Sequence, residues 1–207
     1  MPSDSPLMKP FEKMRSARLY GIVDTGYVPV SEVGSMTRRL CEAGVDVLQL
    51  RAKNHPAADV EAMGRTVLSV TREWAVPLVI NDHPEVAACI GSEGVHVGQD
   101  DLSVAATREI VGPDCFVGKS THSRDQAIVA MEEGADYIGF GPLYATGTKP
   151  DYTPIGLDDI AWVHQRATCP VFYIGGVNLE RLTEIVAALL QAKDAKAYVA
   201  QVKAVMG

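Results

Sequence analysis

Short apolar segments alternate with amphipathic helical segments along most of this chain, and this alternation restricts the fold class more than any other feature. Helical patterns follow the apolar segments, so they fit a parallel sheet whose strands are joined by helices. Consecutive β-α units without a second domain favour a (β/α)8 barrel over a doubly wound sheet. The seven predicted strands are Arg18–Asp24, Val45–Arg51, Pro77–Asn81, Gly94–Gly98, Cys115–Ser120, Ala135–Gly141 and Pro170–Gly175.

The helical segments are predicted from the spacing of apolar residues and from capping residues. The segment Asp59–Trp74 has the clearest pattern, with apolar residues three and four positions apart. Ser31, Ser123 and Asn178 are predicted to cap the helices that follow strands one, five and seven. Gln126 completes a capping box with Ser123.

Composition narrows the classes of function. The chain has 207 residues, 47% of them hydrophobic, and a formal charge of −7, which is typical of a soluble globular protein. The excess of acidic residues disfavours nucleic acid and anionic membranes as partners, and no apolar run reaches the roughly 20 residues of a membrane span. The first residues are polar and lack the apolar core of a signal peptide. We therefore predict a polar leader over residues 1–17, a single domain over residues 18–207 and a cytoplasmic location.

Polar side chains collect at the ends of the predicted strands and in the segments that follow them, where a (β/α)8 barrel carries its active site. Cations, hydroxyl groups and the bare N–H groups of a glycine pair suit phosphate oxygens. Two carboxylates beside such a pocket suggest a Mg²⁺ ion that shares its coordination shell with a diphosphate. The carboxylates are Asp82 and Asp101, and the other residues are Gln49, Arg51, Lys53, Asn81, Ser120, Thr146, Thr148, Lys149, Gly175 and Gly176.

The segments that carry these residues resemble the thiamine phosphate synthase family. The resemblance covers about residues 18–187 and implies a (β/α)8 barrel that acts as a transferase. This transferase couples 4-amino-2-methyl-5-hydroxymethylpyrimidine diphosphate to a thiazole (carboxythiazole) phosphate, and it yields thiamine phosphate and pyrophosphate with Mg²⁺ as cofactor. The matching segments are QLRAK at 49–53, IND at 80–82, GVHVGQDDL at 94–102, VGKSTH at 117–122, GADYIGFGPLYATGTKPD at 134–151 and IGGVN at 174–178.

The resemblance also implies a role for each candidate residue. Contacts with the pyrimidine diphosphate are implied for Gln49, Arg51, Lys53, Asn81 and Lys149. Mg²⁺ ligation is implied for Asp82 and Asp101, and contact with the pyrimidine and the bridging diphosphate oxygen for Ser120. The thiazole phosphate contacts are Thr146, Thr148 and Gly176. Candidate catalytic residues are Arg51, Ser120 and Lys149.

Other side chains receive structural interpretations. The four cysteines lie far apart without a metal-binding spacing, so they are predicted to be reduced thiols. Tyr20 and Tyr137 lie within predicted strands and are assigned to the core.

Two alternative functions and one missing element accompany this prediction. A related branch, a thiazole phosphate tautomerase, has a histidine where this chain has Pro142. The eighth strand, which ends in Val-Ser in the family, is not visible, because residues 187–189 pass directly into a final helical pattern. Either the protein carries a segment that this sequence omits, or the chain lacks it and is a degenerate, non-catalytic barrel that binds a phosphate ligand. The predicted partners are small-molecule substrates, and a second copy of the chain in a homo-oligomer is a further possible partner.

Overall fold

The chain contains two compact units, Met1–Gly118 and Lys119–Gly207. The computed structural model describes residues 10–145, 153–178, 181–182 and 184–185. The boundary between the units falls inside one strand, Phe116–Thr121. The expectation of a single domain over residues 18–207 is not tested by this division into two units and stays a prediction.

Helices and strands alternate in both units, as predicted. The first unit contains α1 (Pro10–Ser16), β1 (Tyr20–Asp24), α2 (Val33–Glu42), β2 (Val47–Arg51), α3 (Ala57–Glu73), β3 (Leu78–Asn81), α4 (Pro84–Ile90), β4 (Gly94–Val97) and α5 (Val104–Val111). Strand β5 (Phe116–Thr121) crosses the boundary. The second unit continues with α6 (Arg124–Glu132), β6 (Tyr137–Phe140), α7 (Ile160–Arg166) and β7 (Val171–Tyr173). All seven predicted strands are therefore confirmed within the described residues.

The strand order follows the sequence from β1 to β7, and the pairs β1–β2, β2–β3, β3–β4 and β6–β7 are parallel. In the first unit, Leu48 and Leu50 of β2 and Ile80 of β3 are fully buried, and α3 packs against both strands. Register pairs the last residue of β1, Asp24, with the last residue of β2, Arg51. Side chains that follow these strands therefore meet at one edge of the sheet.

Helix α1 lies in the segment predicted as a leader, at the opposite edge of the first unit's strands. The Phe11 ring meets the Phe116 ring edge-on, with 6.0 Å between their centroids, and Met14 is only 1% exposed. Phe116 itself lies over Gly94, where an added Cβ would come within 2.0 Å of its ring. Apolar packing at the amino ends of β4 and β5 thus orders part of the polar N-terminal segment.

Two of the three predicted helix caps are confirmed. The Ser123 hydroxyl accepts a hydrogen bond from the Gln126 N–H at 3.2 Å, and Asn178 Oδ1 accepts one from the Arg181 N–H at 2.9 Å. These side chains satisfy N–H groups that have no partner inside their helices.

The predicted cap at Ser31 is wrong. A 3₁₀ turn over Val30–Glu32 follows Pro29 and leads directly into α2, so Ser31 already has helical geometry. Helix α2 begins at Val33 without a hydrogen bond from a capping side chain. Among the described residues, no helix combines the length and the apolar character that crossing a membrane requires.

Candidate functional site

The first unit brings together the predicted metal ligands and one predicted diphosphate contact. Asp82 directly follows β3, Asp101 lies between β4 and α5, and Lys53 lies two residues beyond β2. The Lys53 Nζ is 3.3 Å from Asp82 Oδ2, with the Lys53 side chain 48% and the Asp82 side chain 19% exposed. Asp101 Oδ2 accepts a hydrogen bond from the Gly98 N–H at 2.6 Å, which fixes this carboxylate at the end of β4.

The electrostatics of Asp82 include an interaction with Asp101. Burial raises the pKa of Asp82 above its usual range, and a hydrogen bond and the negative charge of Asp101 raise it further. The Lys53 ammonium acts in the opposite direction. A carboxylate pair that disfavours its own ionisation gains from a cation bound between or beside its members.

The backbone of Asp82 adopts a conformation that turns the chain sharply out of β3. Its φ is +62°, in the left-handed region, where Asp and Asn are among the few tolerated residues other than glycine. Its N–H donates to the His96 carbonyl at 2.8 Å, so the turn is tied to β4. Asn81, one residue earlier, ends β3 and is buried.

The donor set around Asp82 fits Mg²⁺ that is shared with a substrate. Among the described residues, no group of three or more His, Cys, Asp or Glu side chains is arranged to hold a metal ion. Mg²⁺ usually takes one or two protein carboxylates and fills its remaining positions with phosphate oxygens and water. Asp82 and Asp101, rather than Asp82 and Asp100, are the carboxylates that influence each other here.

Arg51 is held by a residue that the sequence analysis did not identify. Its Nη1 donates to Asp24 Oδ2 at 2.6 Å, and the two side chains are 15% and 10% exposed. Gln49 is buried, and its Nε2 donates to the Tyr20 hydroxyl at 3.1 Å. Tyr20, which was assigned to the core, therefore contacts Gln49, a predicted substrate-binding residue, through its hydroxyl group.

The second unit holds the other candidates that the structure describes. Ser120 lies on β5 and is half-buried. Gly176 follows β7 with a φ of +65°, and an added Cβ would lie 2.9 Å from both the Ala145 carbonyl and the Arg181 guanidinium. Arg181 donates to the Gly176 carbonyl at 2.6 Å and stacks 4.4 Å from the centroid of the Tyr144 ring. The glycine at this turn is thus required by close packing as well as by its backbone conformation.

Three predicted site residues and the position of the expected eighth strand lie outside the described residues. The residues are Thr146, Thr148 and Lys149, and the position is 187–189. Their roles stay predictions.

Most of the chain is similar to proteins of one known family. The family model of thiamine monophosphate synthase matches residues 19–201. The thiamine-phosphate synthase of Caldanaerobacter subterraneus subsp. tengcongensis is 38% identical over 168 residues, which cover 81% of this chain and 78% of that protein. The thiamine-phosphate synthase of Pelotomaculum thermopropionicum is 35% identical over 201 residues, which cover 92% of each chain.

A solved structure extends the comparison to the fold. The thiamine phosphate pyrophosphorylase from Pyrococcus furiosus has a TM-score of 0.74 and 30% identity, and the match covers 86% of this chain and 83% of that one. Together with the seven-stranded sheet and its alternating helices, this similarity confirms the predicted α/β fold of the (β/α)8-barrel class.

Proposed function

Because the chain belongs to the thiamine monophosphate synthase family, we propose that it joins a pyrimidine diphosphate to a thiazole phosphate in thiamine biosynthesis. The carbon–oxygen bond between the pyrimidine methylene and the diphosphate breaks, and a carbon–nitrogen bond to the thiazole forms. The products are thiamine phosphate and pyrophosphate. The enzyme is a transferase with small-molecule substrates.

The first unit binds the pyrimidine diphosphate in this proposal. Arg51 and Lys53 neutralise the diphosphate as it leaves, and this stabilisation of developing charge is the main catalytic contribution that the reaction needs. Buried Gln49 and Asn81 orient the pyrimidine. Mg²⁺ at Asp82 and Asp101 supplies further charge for the leaving group when it is bound.

The close pair of carboxylates beside Lys53 carries this assignment. Without a cation, burial and Asp101 act against ionisation of Asp82, and Lys53 at 3.3 Å offsets only part of this cost. A site built in this way favours a divalent cation together with a diphosphate. The cation then compensates the negative charge of the two carboxylates and part of the negative charge of the diphosphate.

The second unit contributes the thiazole phosphate site and Ser120. Gly176 offers its backbone at a turn in which no side chain fits, as phosphate-binding turns require. Thr146 and Thr148 are proposed to add hydroxyl donors, and Lys149 is proposed to contact the diphosphate. Ser120, on β5, is proposed to contact the pyrimidine and the bridging oxygen.

The test is the formation of thiamine phosphate from both substrates with Mg²⁺ and with EDTA. We expect activity that requires Mg²⁺ and that falls at least a hundredfold in Asp82→Asn and Asp101→Asn, since each metal ligand contributes several kcal/mol to the transition state. Asp114→Asn, which changes an exposed aspartate in the loop before β5, is the matched control and should retain full activity. Full activity of Asp82→Asn in EDTA would refute the metal assignment.

The tautomerase alternative has its own outcome in the same assay. Proton transfer needs a group that can accept and release a proton, and Pro142 after β6 has none in its side chain. We therefore expect no aromatisation of the carboxythiazole tautomer when the pyrimidine diphosphate is left out. Rapid aromatisation in that mixture would reverse the assignment, and binding of thiazole phosphate without any turnover would identify a degenerate barrel.

A further inference from the structure

We propose that Asp24 is a positioning residue that fixes the Arg51 guanidinium for the diphosphate of the substrate. This inference rests on the proposed function, because Arg51 has a diphosphate to bind only if that function holds. Asp24 itself does not contact the substrate in this proposal, since a carboxylate would repel the phosphate oxygens.

Strand register places the two side chains side by side. Asp24 is the last residue of β1 and Arg51 the last residue of β2, and the two are partners in the parallel ladder. Partner residues of adjacent strands point to the same side of a sheet. The Arg51 Nη1 and Asp24 Oδ2 are 2.6 Å apart, which is a charge-assisted hydrogen bond.

The loop after β1 holds Asp24 in place. Its second carboxylate oxygen, Oδ1, accepts a hydrogen bond from the Gly26 N–H at 2.9 Å. Its carbonyl accepts from the Tyr27 and Val28 N–H groups, both at 2.9 Å. Asp24 is 7% exposed, so a buried residue meets Arg51, with its carboxylate held by Gly26 and its backbone by Tyr27 and Val28.

A fixed guanidinium is more useful to a diphosphate than a mobile one. An arginine side chain loses much rotamer freedom when it is ordered. If the side chain is ordered before the ligand binds, this entropy loss no longer weakens binding. Guanidinium groups carry five N–H donors, so the bond from Nη1 to Asp24 leaves donors that can bind phosphate oxygens. Because the Arg51 and Asp24 side chains are only 15% and 10% exposed, water does not readily replace either partner of their hydrogen bond.

Binding of inorganic pyrophosphate with Mg²⁺ is the direct test, measured by calorimetry. In Asp24→Asn we expect the affinity for pyrophosphate to fall about tenfold, because one charge-assisted hydrogen bond is lost while the bond from Gly26 is kept. The value of kcat/KM for the pyrimidine diphosphate should fall by a similar factor, and KM for the thiazole phosphate should stay unchanged. In an Arg51→Gln background, Asp24→Asn should have no further effect, because Asp24 acts through Arg51.

Three controls separate positioning from a general loss of structure. Asp24→Glu keeps the charge and should recover part of the affinity. Glu73→Gln breaks the exposed Arg38–Glu73 pair, also an arginine–carboxylate contact, and should leave pyrophosphate binding unchanged. Thermal unfolding identifies variants that fail to fold. If Asp24→Asn does not fold, pyrophosphate binding by Asp24→Glu is compared with binding by Arg51→Gln instead.

Each outcome supports or overturns the inference. Unchanged or tighter pyrophosphate binding by Asp24→Asn, or an added loss in the Arg51→Gln background, would overturn it. If the wild-type protein binds pyrophosphate but forms no thiamine phosphate, the proposed function fails while the pairing of Asp24 with Arg51 is still tested by binding. If turnover is normal and Asp24→Asn binds pyrophosphate as the wild type does, only the positioning role fails.

Discussion

At the scale of single residues, the Asp82–Asp101 pair is unfavourable in the protein alone, and in the proposed function a bound Mg²⁺ ion offsets this cost. Burial and the neighbouring carboxylate both disfavour the ionised form of Asp82. Natural sites often keep such unfavourable arrangements because the bound ligand compensates for them. Lys53 is the counter-charge that limits the cost before the ligand arrives.

We predict that Asp101→Asn stabilises the metal-free protein. The amide keeps an oxygen that can accept the bond from the Gly98 N–H and removes a negative charge near Asp82. We expect the free energy of unfolding at pH 7 without Mg²⁺ to rise by about 0.5–1 kcal/mol, a modest gain because Asp101 is exposed and solvent screens its charge. Urea denaturation measures it, with Asp114→Asn as the neutral control, and a lower stability of Asp101→Asn would contradict the prediction.

The cysteines differ in their predicted reactivity. Burial, and secondarily the charge of Asp136, raise the pKa of the Cys169 thiol to about 11, whereas Cys89 is exposed. At pH 8 a thiol with this pKa is about 0.1% thiolate, and the thiolate is the reactive form. We expect iodoacetamide to alkylate Cys89 at least about tenfold faster than Cys169, as followed by peptide mass spectrometry. Equal rates in the folded protein would contradict this, and urea-unfolded protein, in which all four thiols react, is the control.

At the scale of elements, the end of α3 is less stable than its sequence could make it. Helix α3 ends at Glu73, Trp74 is its C-cap, and Ala75 follows with a φ of +53°. Glycine is the usual residue at this position because a Cβ makes the left-handed conformation unfavourable. Alanine therefore carries a conformational cost at the junction with β3.

We predict that Ala75→Gly raises the free energy of unfolding by about 0.5–1 kcal/mol. The matched control is Ala62→Gly, the same substitution at an exposed position inside α3, which should lower it by about 1 kcal/mol. Thermal and urea unfolding measure both changes. A loss of stability in Ala75→Gly would show that the methyl group contributes more than the backbone conformation costs.

The elements themselves were predictable because their signals are local. Strand β2 is a run of apolar residues interrupted by Gln49, and the caps at Ser123 and Asn178 act within three residues. The first turn of α2 was not predictable in this way, since the 3₁₀ turn after Pro29 shifts Ser31 out of the capping position. Helix α1 was missed because its apolar contact, Phe116, lies far along the chain.

At the scale of the whole molecule, the site should couple ligand binding to stability. A ligand that binds only the folded state at a hundredfold excess over its Kd adds about 2.7 kcal/mol, and in a chain of this size each kcal/mol corresponds to about 2–4 °C in Tm. We predict that pyrophosphate and Mg²⁺ together raise Tm by about 5–10 °C, and that either alone raises it less. Differential scanning fluorimetry measures the shift.

The same measurement on variants identifies the residues responsible. Asp101→Asn should lose the part of the shift that requires Mg²⁺, while Asp114→Asn should keep the whole shift. An equal shift with pyrophosphate alone and with pyrophosphate plus Mg²⁺ would contradict a shared metal and diphosphate site.

The candidate site was predictable only where its residues follow strand ends. Lys53, Asp82 and Asp101 each lie within four residues of the end of a strand, and the structure places them near one another in the first unit. Asp24 and Tyr20 were not identified, because their contacts with Arg51 and Gln49 depend on which strands pair and in what register. No spacing within a single strand contains that information.

Within the first unit, the two ends of the strands have different tasks, and this has a consequence for how such a protein can change. Phe11, Phe116 and Gly94 pack at the amino ends, while Asp82 and Asp101 lie beyond the carboxyl ends. Mutations at the amino ends should alter cellular abundance through stability and leave turnover per molecule intact. Mutations at the carboxyl ends should act mainly on turnover per molecule. Variants of this protein can therefore accumulate mutations that change stability at one end of the strands and mutations that change catalysis at the other. Selection can then act on stability and on catalysis separately.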